Sequence, residues 1–360
     1  MEATANREGF DAERAQRFAD RLLNGLNEAA VVLMVSIGHR TGLFDTLAAH
    51  DALTSEALAG AAGLNERYVR EWLGAMASGG VIEYRAHDRT YRLPAEHAAS
   101  LTRAAVPANL AATAQWIPVL AAVEDRVVEC FKTGGGVPYA AYPNFHRVMA
   151  DESEQTVLAA LVDSILPIAP GLVERLRAGI DAVDVGCGAG RAVALLARAF
   201  PHSRFTGVDF SADAITAARA EAERLGLRNV TYDVADAASW EAPASFDLVM
   251  TFDAVHDQAA PRRVLRNIHR ALRPGGVYLM QDIGVSSHLH ENVGHPLAPF
   301  IYTISCLHCM TVSLAAGGEG LGAAWGEQQA RELLAEAGFR QVAMHRLPHD
   351  IQNYYYVCEK

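Results

Sequence analysis

The sequence predicts an α/β protein in which a doubly wound, parallel sheet follows an all-helical N-terminal portion containing a winged helix. Three observations carry this prediction. From residue 180 onward, short apolar runs alternate with amphipathic helical segments, the pattern of successive βαβ units. A glycine-rich turn, Asp184-Val185-Gly186-Cys187-Gly188-Ala189-Gly190, follows the first of those runs and opens a helix. Ahead of both, residues 54–93 spell helix, turn, helix and hairpin.

The chain of 360 residues is long enough for two or three domains, and 51% hydrophobic residues supply a sizeable core. No run of about 18 uninterrupted apolar residues occurs, so no membrane span is expected. Glu2, Arg7, Glu8 and Asp11 precede any apolar run, which does not read as a signal peptide. The expectation is a cytoplasmic protein. Net charge is −11, from 31 basic and 42 acidic residues, which disfavours a general nucleic-acid binder. The cysteines (Cys130, Cys187, Cys306, Cys309 and Cys358) suggest no disulfide framework and fit a reduced interior.

Residues 11–39 read as helices, with Phe18, Leu22, Leu23 and Leu26 at helical spacing and Asn24-Gly25 as a point of division. Val31, Val32, Leu33, Met34 and Val35 make the following turns apolar nearly all round, which predicts burial on more than one side and a homodimer through residues 10–50. Thr54 caps a helix over Ser55–Ala62 that Gly63 ends, and Asn65 caps a second. Residues 81–84 and 90–93 read as strands around a His87-Asp88 turn.

A winged helix suggests DNA binding. Residues 1–100, however, hold 10 Arg and 14 Asp or Glu, and on the would-be recognition helix Glu66 and Glu71 offset Arg67 and Arg70. Phosphate contacts supply most nonspecific DNA affinity, so this module reads as a dimerisation or lid element. A cofactor-responsive transcriptional regulator remains the alternative from another functional class.

Residues 101–178 look helical, broken by Gly134-Gly135-Gly136, Pro138 and Pro143. Strands are then expected at 180–185, 204–209, 229–234, 246–251 and 276–283, with helices at 190–200, 211–226 and 260–272. The resulting organisation is a dimerisation and winged-helix domain at 1–100, a helical linker or lid at 101–165, and an α/β domain at 166–360 with an insertion at 284–326.

In the glycine-rich turn the usual dinucleotide spacing G-x-G-x-x-G is absent, because Arg191 follows Gly190. Asp184 ends the strand just before the glycines, and a carboxylate there suits a cationic amino group better than a pyrophosphate. Asp209 ends the second strand, 25 residues further on, where a carboxylate can accept both hydroxyls of a ribose. Asp236 follows the third strand and can accept from an adenine amino group. Arg273-Pro274-Gly275-Gly276 leads into the fifth strand.

This set resembles the class I S-adenosylmethionine-dependent methyltransferases over about residues 160–360. The resemblance implies a Rossmann-like methyltransferase sheet. It also implies S-adenosylmethionine as cofactor, held at Asp184, Gly186, Gly188, Gly190, Asp209, Phe210, Asp236, Ala237, Thr251 and Phe252. The N-terminal half extends it, because small-molecule O-methyltransferases also join a helical, winged-helix dimerisation domain to this fold. Asn144-Phe145-His146-Arg147-Val148-Met149 looks like their Phe-x-x-x-Met element, which implies that Phe145 and Met149 contact cofactor and acceptor. Spacing i, i+4 is equally that of a core stripe.

Methyl transfer to a hydroxyl requires alignment of the acceptor and removal of its proton. His256, in Asp253-Ala254-Val255-His256-Asp257-Gln258, follows the fourth strand at the carboxyl edge of the sheet, where ligands of this fold bind. An unperturbed imidazole titrates near neutrality, which suits a base. The O-methyltransferases have His-Asp-Trp here, with that His as base; in this chain Gln258 stands in place of the Trp. Asp257 either orients His256 or serves only the start of the next helix.

The insertion contains Cys306-Leu307-His308-Cys309 on a stretch that reads as helical, 298–315, whose Tyr302, Cys306, Cys309 and Ser313 would share one face. A structural zinc site usually shows two paired motifs, and only one is present, so Tyr302, Cys306 and Cys309 read as the wall of an acceptor pocket and no metal is expected. A metal-, metalloid- or thiol-directed methyltransferase using Cys306 and Cys309 is the remaining alternative. Gly317-Gly318-Glu319-Gly320 reads as a flexible lid segment.

Overall fold

Asp11 starts the first helix by accepting the Arg14 N–H at 2.9 Å, and the helix then runs unbroken from Ala12 to Thr41. The computed structural model describes residues 9–360, so the readings on Glu2, Arg7 and Glu8 lie outside the described residues. The expected division at Asn24-Gly25 does not occur: Gly25 stands in open space within the helix, where its weak propensity is tolerated without a break in the ladder. Two units make up the chain, Met1–Pro118 and Val119–Lys360.

In the first unit Thr54 Oγ1 accepts the Ala57 N–H and Asn65 Oδ1 accepts the Arg67 N–H, capping helices Ser55–Ala62 and Glu66–Ser78 as the sequence predicts. A short hairpin of β1 (Glu83–Arg85) and β2 (Thr90–Arg92) completes the wing. Phe44, Leu47, Leu58, Val69, Trp72, Leu73 and Met76 are its buried core, with the Phe44 and Trp72 rings edge to face at 5.2 Å. Gly38 permits this packing, because a Cβ there would meet both rings at 2.7 Å. By contrast Phe18, Leu22, Leu23 and Leu26 on the long helix are 58–68% exposed.

The second unit carries a seven-stranded sheet: β3 (Asp181–Val185), β4 (Arg204–Asp209), β5 (Val230–Val234), β6 (Phe246–Phe252), β7 (Leu272–Ile283), β8 (Gln341–His345) and β9 (Asn353–Glu359). Their order is β5-β4-β3-β6-β7-β9-β8. The five strands read from sequence form, and pair in parallel. The last two were not foreseen, and they make the sheet mixed, since β9 lies antiparallel between β7 and β8. Strand order reverses at β3, between β4 and β6, which opens a crevice at the carboxyl ends of β3 and β6.

Side chains alternate across this sheet. Leu248, Met250 and Tyr355 pack with Leu161, Val193, Leu196 and Phe205 on one face; Val249, Tyr278 and Tyr356 pack with Val264, Leu265, Ile268 and Leu333 on the other. The stretch 298–315 is helical, but Ser305–Cys309 winds as a π-turn between Ala298–Ile304 and Met310–Ala315. The extra residue rotates the helix register, so the single face expected for Tyr302, Cys306, Cys309 and Ser313 is not kept. By length and composition alone, this stretch and Ala12–Thr41 are apolar enough to cross a bilayer, a test that core helices also pass.

Residues 317–320, expected from the sequence as a flexible lid segment, are bonded to their surroundings. Gly318 lies against the Ala259 backbone, Glu319 N–H donates to Ala259 O at 3.0 Å, and Gly320 N–H donates to Ser313 Oγ at 3.1 Å.

Candidate active site

Asp184 ends β3, and the turn after it is shaped by glycines with positive φ. At Gly186 (φ 83°) a Cβ would stand 2.7 Å from that of Ala254; at Gly190 (φ 69°) it would strike the Tyr232 ring at 2.4 Å. Only glycine permits both the conformation and the close approach. Asp209, ending β4, fixes the same turn: Oδ2 accepts the Gly188 N–H and Oδ1 the Ser211 N–H, each at 2.8 Å.

The turn borders an open cleft lined by Asp184, Gly186, Gly188, Met149 and Phe252 among others. Asp184 is buried, and its Oδ1 has no hydrogen-bond partner. Burial, with the Asp209 carboxylate nearby, pushes its pKa up to about 7. A buried carboxylate oxygen without a donor is costly, so this cleft fits a ligand that brings a cation or N–H to it. S-adenosylmethionine carries such an amino group, and the glycine turn and Asp209 leave acceptors and space beside it.

The other expected cofactor residues divide. Phe252 lines the cleft, and Phe210 is 55% exposed with its ring 5.6 Å from that of Tyr139. Asp236 is exposed beyond β5 and accepts the Ala238 N–H at 2.8 Å. Ala237 is buried in the sheet core. Thr251 does not reach the cleft: its buried hydroxyl is paired with Tyr278 Oη at 2.8 Å, because successive β6 residues face opposite sides.

Beyond β6 the chain turns at Asp253 (φ 47°), whose carboxylate accepts from Gln281 Nε2 at 2.9 Å. This brings His256 inward to 3% exposure. Its Nδ1 lies 2.7 Å from Asp282 Oδ1, an oxygen that also accepts from Trp325 Nε1 at 2.9 Å and the Ile283 N–H at 2.8 Å. Its Nε2 lies 3.1 Å from Asp257 Oδ1, while Asp257 Oδ2 accepts from the Tyr139 hydroxyl at 2.8 Å.

Burial alone would lower the imidazole pKa, but the Asp282 and Asp257 carboxylates outweigh it and hold the pKa well above the usual value. The expectation of an imidazole titrating near neutrality is thereby corrected. Burial would raise Asp257, and the facing imidazole instead keeps it below the ordinary carboxylate range.

An aromatic wall stands beside this pair. Phe145 stacks on His308 with centroids 4.5 Å apart, and Tyr139 and Tyr142 meet the His308 ring edge-on at 5.3 and 4.9 Å. Burial drives His308 down to about 4, so its ring is neutral. The Phe-x-x-x-Met element thus sends Met149 to the cleft and Phe145 to the wall.

The π-turn delivers Cys309 to the same place, with its thiol pushed up to about 12 by burial. Cys306 is half-buried and not grouped with His256 and Asp257, and Tyr302 accepts from Asn292 Nδ2 at 3.1 Å. Sequence reasoning missed Tyr139, Asp282 and Trp325, and it weighed His308 only as part of a rejected metal motif. Asp282 had a signal, a charge at the end of an otherwise apolar strand.

A model described as "Rv2258c-like winged HTH domain" matches residues 29–103, and one described as "Methyltransferase domain" matches residues 176–338. A trans-aconitate 2-methyltransferase of Rhodopseudomonas palustris (strain BisB18) is 40% identical over 100 residues, 27% of this chain and 36% of its own length. Methyltransferase GfsG of Streptomyces halstedii is 35% identical over 124 residues, 33% of this chain and 44% of its own. The chain spans about a third to a half of the length of the curated relatives it matches.

Among solved structures, human N-acetylserotonin methyltransferase in complex with SAM superposes with a TM-score of 0.68 at 17% identity, covering 98% of this chain and 99% of that one. The mitomycin 7-O-methyltransferase MmcR gives 0.65 at 20% identity, covering 97% and 100%. At these identities the likeness shows the fold. The chain therefore carries a methyltransferase domain over residues 176–338, preceded in the sequence by an Rv2258c-like winged HTH domain over residues 29–103.

Proposed function

We propose that this protein transfers a methyl group from S-adenosylmethionine to a hydroxyl of a small-molecule acceptor, with His256 taking the hydroxyl proton. The observation that carries this reading is the buried His256 held between Asp282 and Asp257, at the strand end beside the cofactor cleft. The bound sulfonium supplies an activated methyl group. Asp282 fixes the imidazole through Nδ1, and Nε2, which faces Asp257 Oδ1 at 3.1 Å, must first lose its proton, so methyl transfer is expected to rise with pH through the raised imidazole pKa. Both carboxylates stabilise the imidazolium that proton transfer creates, the role an orienting acid has in other His-based sites. Asp184, the glycine turn, Asp209, Phe210 and Asp236 hold the cofactor, and Phe145, Met149 and the neutral His308 ring bound the acceptor.

Incubation with methyl-labelled S-adenosylmethionine and matched phenol, aniline and thiophenol acceptors tests the chemistry. Label is expected on the phenols. Label only on the amine or thiol partners would contradict the hydroxyl assignment.

The same reading makes the protein a cytoplasmic homodimer that does not use DNA. Four large apolar side chains stand exposed along one long helix, a face that a second copy would cover. On helix Glu66–Ser78, Arg70 is already bonded to Glu66 (2.8 and 2.7 Å) and Arg67 to Glu71 (2.5 Å), which leaves little charge for phosphates. Light scattering is expected to give twice the 38.7 kDa chain mass, and Leu22→Glu with Leu26→Glu is expected to halve it. A constant monomer mass across micromolar concentrations of the unaltered protein would contradict the dimer.

A further inference from the structure

Two groups of potential ligands share His256 among the described residues of the second unit, one with Asp253 and Asp282 and one with Asp257 and Cys309; the latter adds a sulfur that proton transfer does not need. His256, Asp257 and Cys309 each offer one ligand atom, a nitrogen, an oxygen and a sulfur, and all three atoms lie within 4.8 Å of one another. We propose that these three side chains form a binding site for a single divalent cation of the zinc class, and that its occupation blocks the proton-accepting nitrogen of His256. The blocking clause rests on the proposed role of His256; the binding clause does not.

The donor set favours this class of ion. Thiolate with imidazole and one carboxylate suits zinc and similar borderline cations, whereas magnesium and calcium take oxygen ligands. Three protein ligands also match the open form of zinc site, with a fourth position left for water or a small molecule.

Two further observations point to a ligand. Asp257 Oδ1 is buried, and the group facing it is His256 Nε2 at 3.1 Å, whose proton an ion between them would displace. The donors are also oriented from behind as metal ligands are. Asp282 Oδ1 holds His256 at Nδ1 (2.7 Å), a carboxylate–histidine arrangement that sets the tautomer and leaves Nε2 for the metal. Tyr139 donates to the other oxygen of Asp257 at 2.8 Å, which leaves Oδ1 for a ligand. Trp325 anchors Asp282 in turn.

The balance is simple. Coordination uses the Cys309 thiolate and the Nε2 lone pair, so the thiol proton and any proton on Nε2 pass to solvent as the metal–sulfur and metal–nitrogen bonds form. No oxidation state changes. While the ion is in place, Nε2 cannot accept a proton from an acceptor hydroxyl.

Equilibrium dialysis of the chelator-treated full chain against zinc chloride, read by elemental analysis, tests binding. One zinc per chain is expected, weakened at least about tenfold in Cys309→Ser and Asp257→Asn, on the scale that loss of a supporting ligand contact carries, and unchanged in Cys306→Ser. Cobalt(II) added to the unaltered chain is expected to give a thiolate-to-metal charge-transfer band, which needs no variant to fold. Absence of stoichiometric zinc together with absence of that band overturns the site, as does full affinity in Cys309→Ser. Zinc at one equivalent is expected to suppress methyl transfer, and undiminished transfer by the zinc-loaded protein overturns the blocking clause. Zinc binding by the unaltered chain, together with full methyl transfer by a zinc-free His256→Ala variant, would instead refute the role of His256 and leave the site standing.

Discussion

Replacement of His256 by Ala is expected to lower the methyl-transfer rate by about 10²–10⁴-fold, the usual contribution of a positioned base, while cofactor affinity stays nearly intact. The separation follows from geometry. The imidazole contacts Asp257, Asp282 and the turn after β6, whereas the unpartnered Asp184, the glycine turn and Asp209 belong to the neighbouring cleft. Single-turnover rates at saturating cofactor, with calorimetric affinity for S-adenosylhomocysteine beside them, read both quantities. A fall of less than about tenfold would mean that proximity suffices and that the acceptor attacks without a base. Loss of affinity together with rate would mean that the substitution disturbs the cleft.

The legible parts of this protein are those written in local pattern. Caps at Thr54 and Asn65, the glycine stops, and the five parallel strands each depend on a few consecutive residues, and each forms. β8 and β9 escaped because they follow the last motif and pair antiparallel through contacts distant in sequence, such as Tyr356 with Met280. The break expected at Asn24-Gly25 failed because the glycine is an interior residue of a helix long enough to absorb it.

In the site, His256, Asp257, Asp184 and Asp209 were legible from their places at strand ends. Their electrostatics were not. The raised imidazole and Asp184 pKa values come from burial and from carboxylates that only the fold brings together. Tyr139 reaches Asp257 from a segment 118 residues away, and no local pattern announces that. Thr251 shows the opposite error: proximity in sequence to the strand end suggested the cofactor, and strand alternation turned the side chain away.

Asp209 is where the cofactor assignment bears most weight. Its carboxylate already orders the glycine turn through Gly188 and Ser211 and retains lone pairs for two ribose hydroxyls. Asp209→Ala is expected to lose about 2 kcal/mol or more of cofactor binding, roughly 30-fold, from the loss of charge-assisted hydrogen bonds. Asp184 adds a pH dependence of definite sign. Its pKa is raised to about 7, the carboxylate is the form that holds a cationic amino group, and affinity therefore falls as pH drops through about 7, with proton release on binding below it.

Calorimetric titration of the purified protein with S-adenosylhomocysteine, at pH values on either side of 7 and in Asp209→Ala, tests the methyltransferase assignment most directly. The expected result is one site per chain, tighter at the higher pH and roughly 30-fold weaker in the variant. Absence of binding by the unaltered protein, or equal affinity in Asp209→Ala, would contradict it.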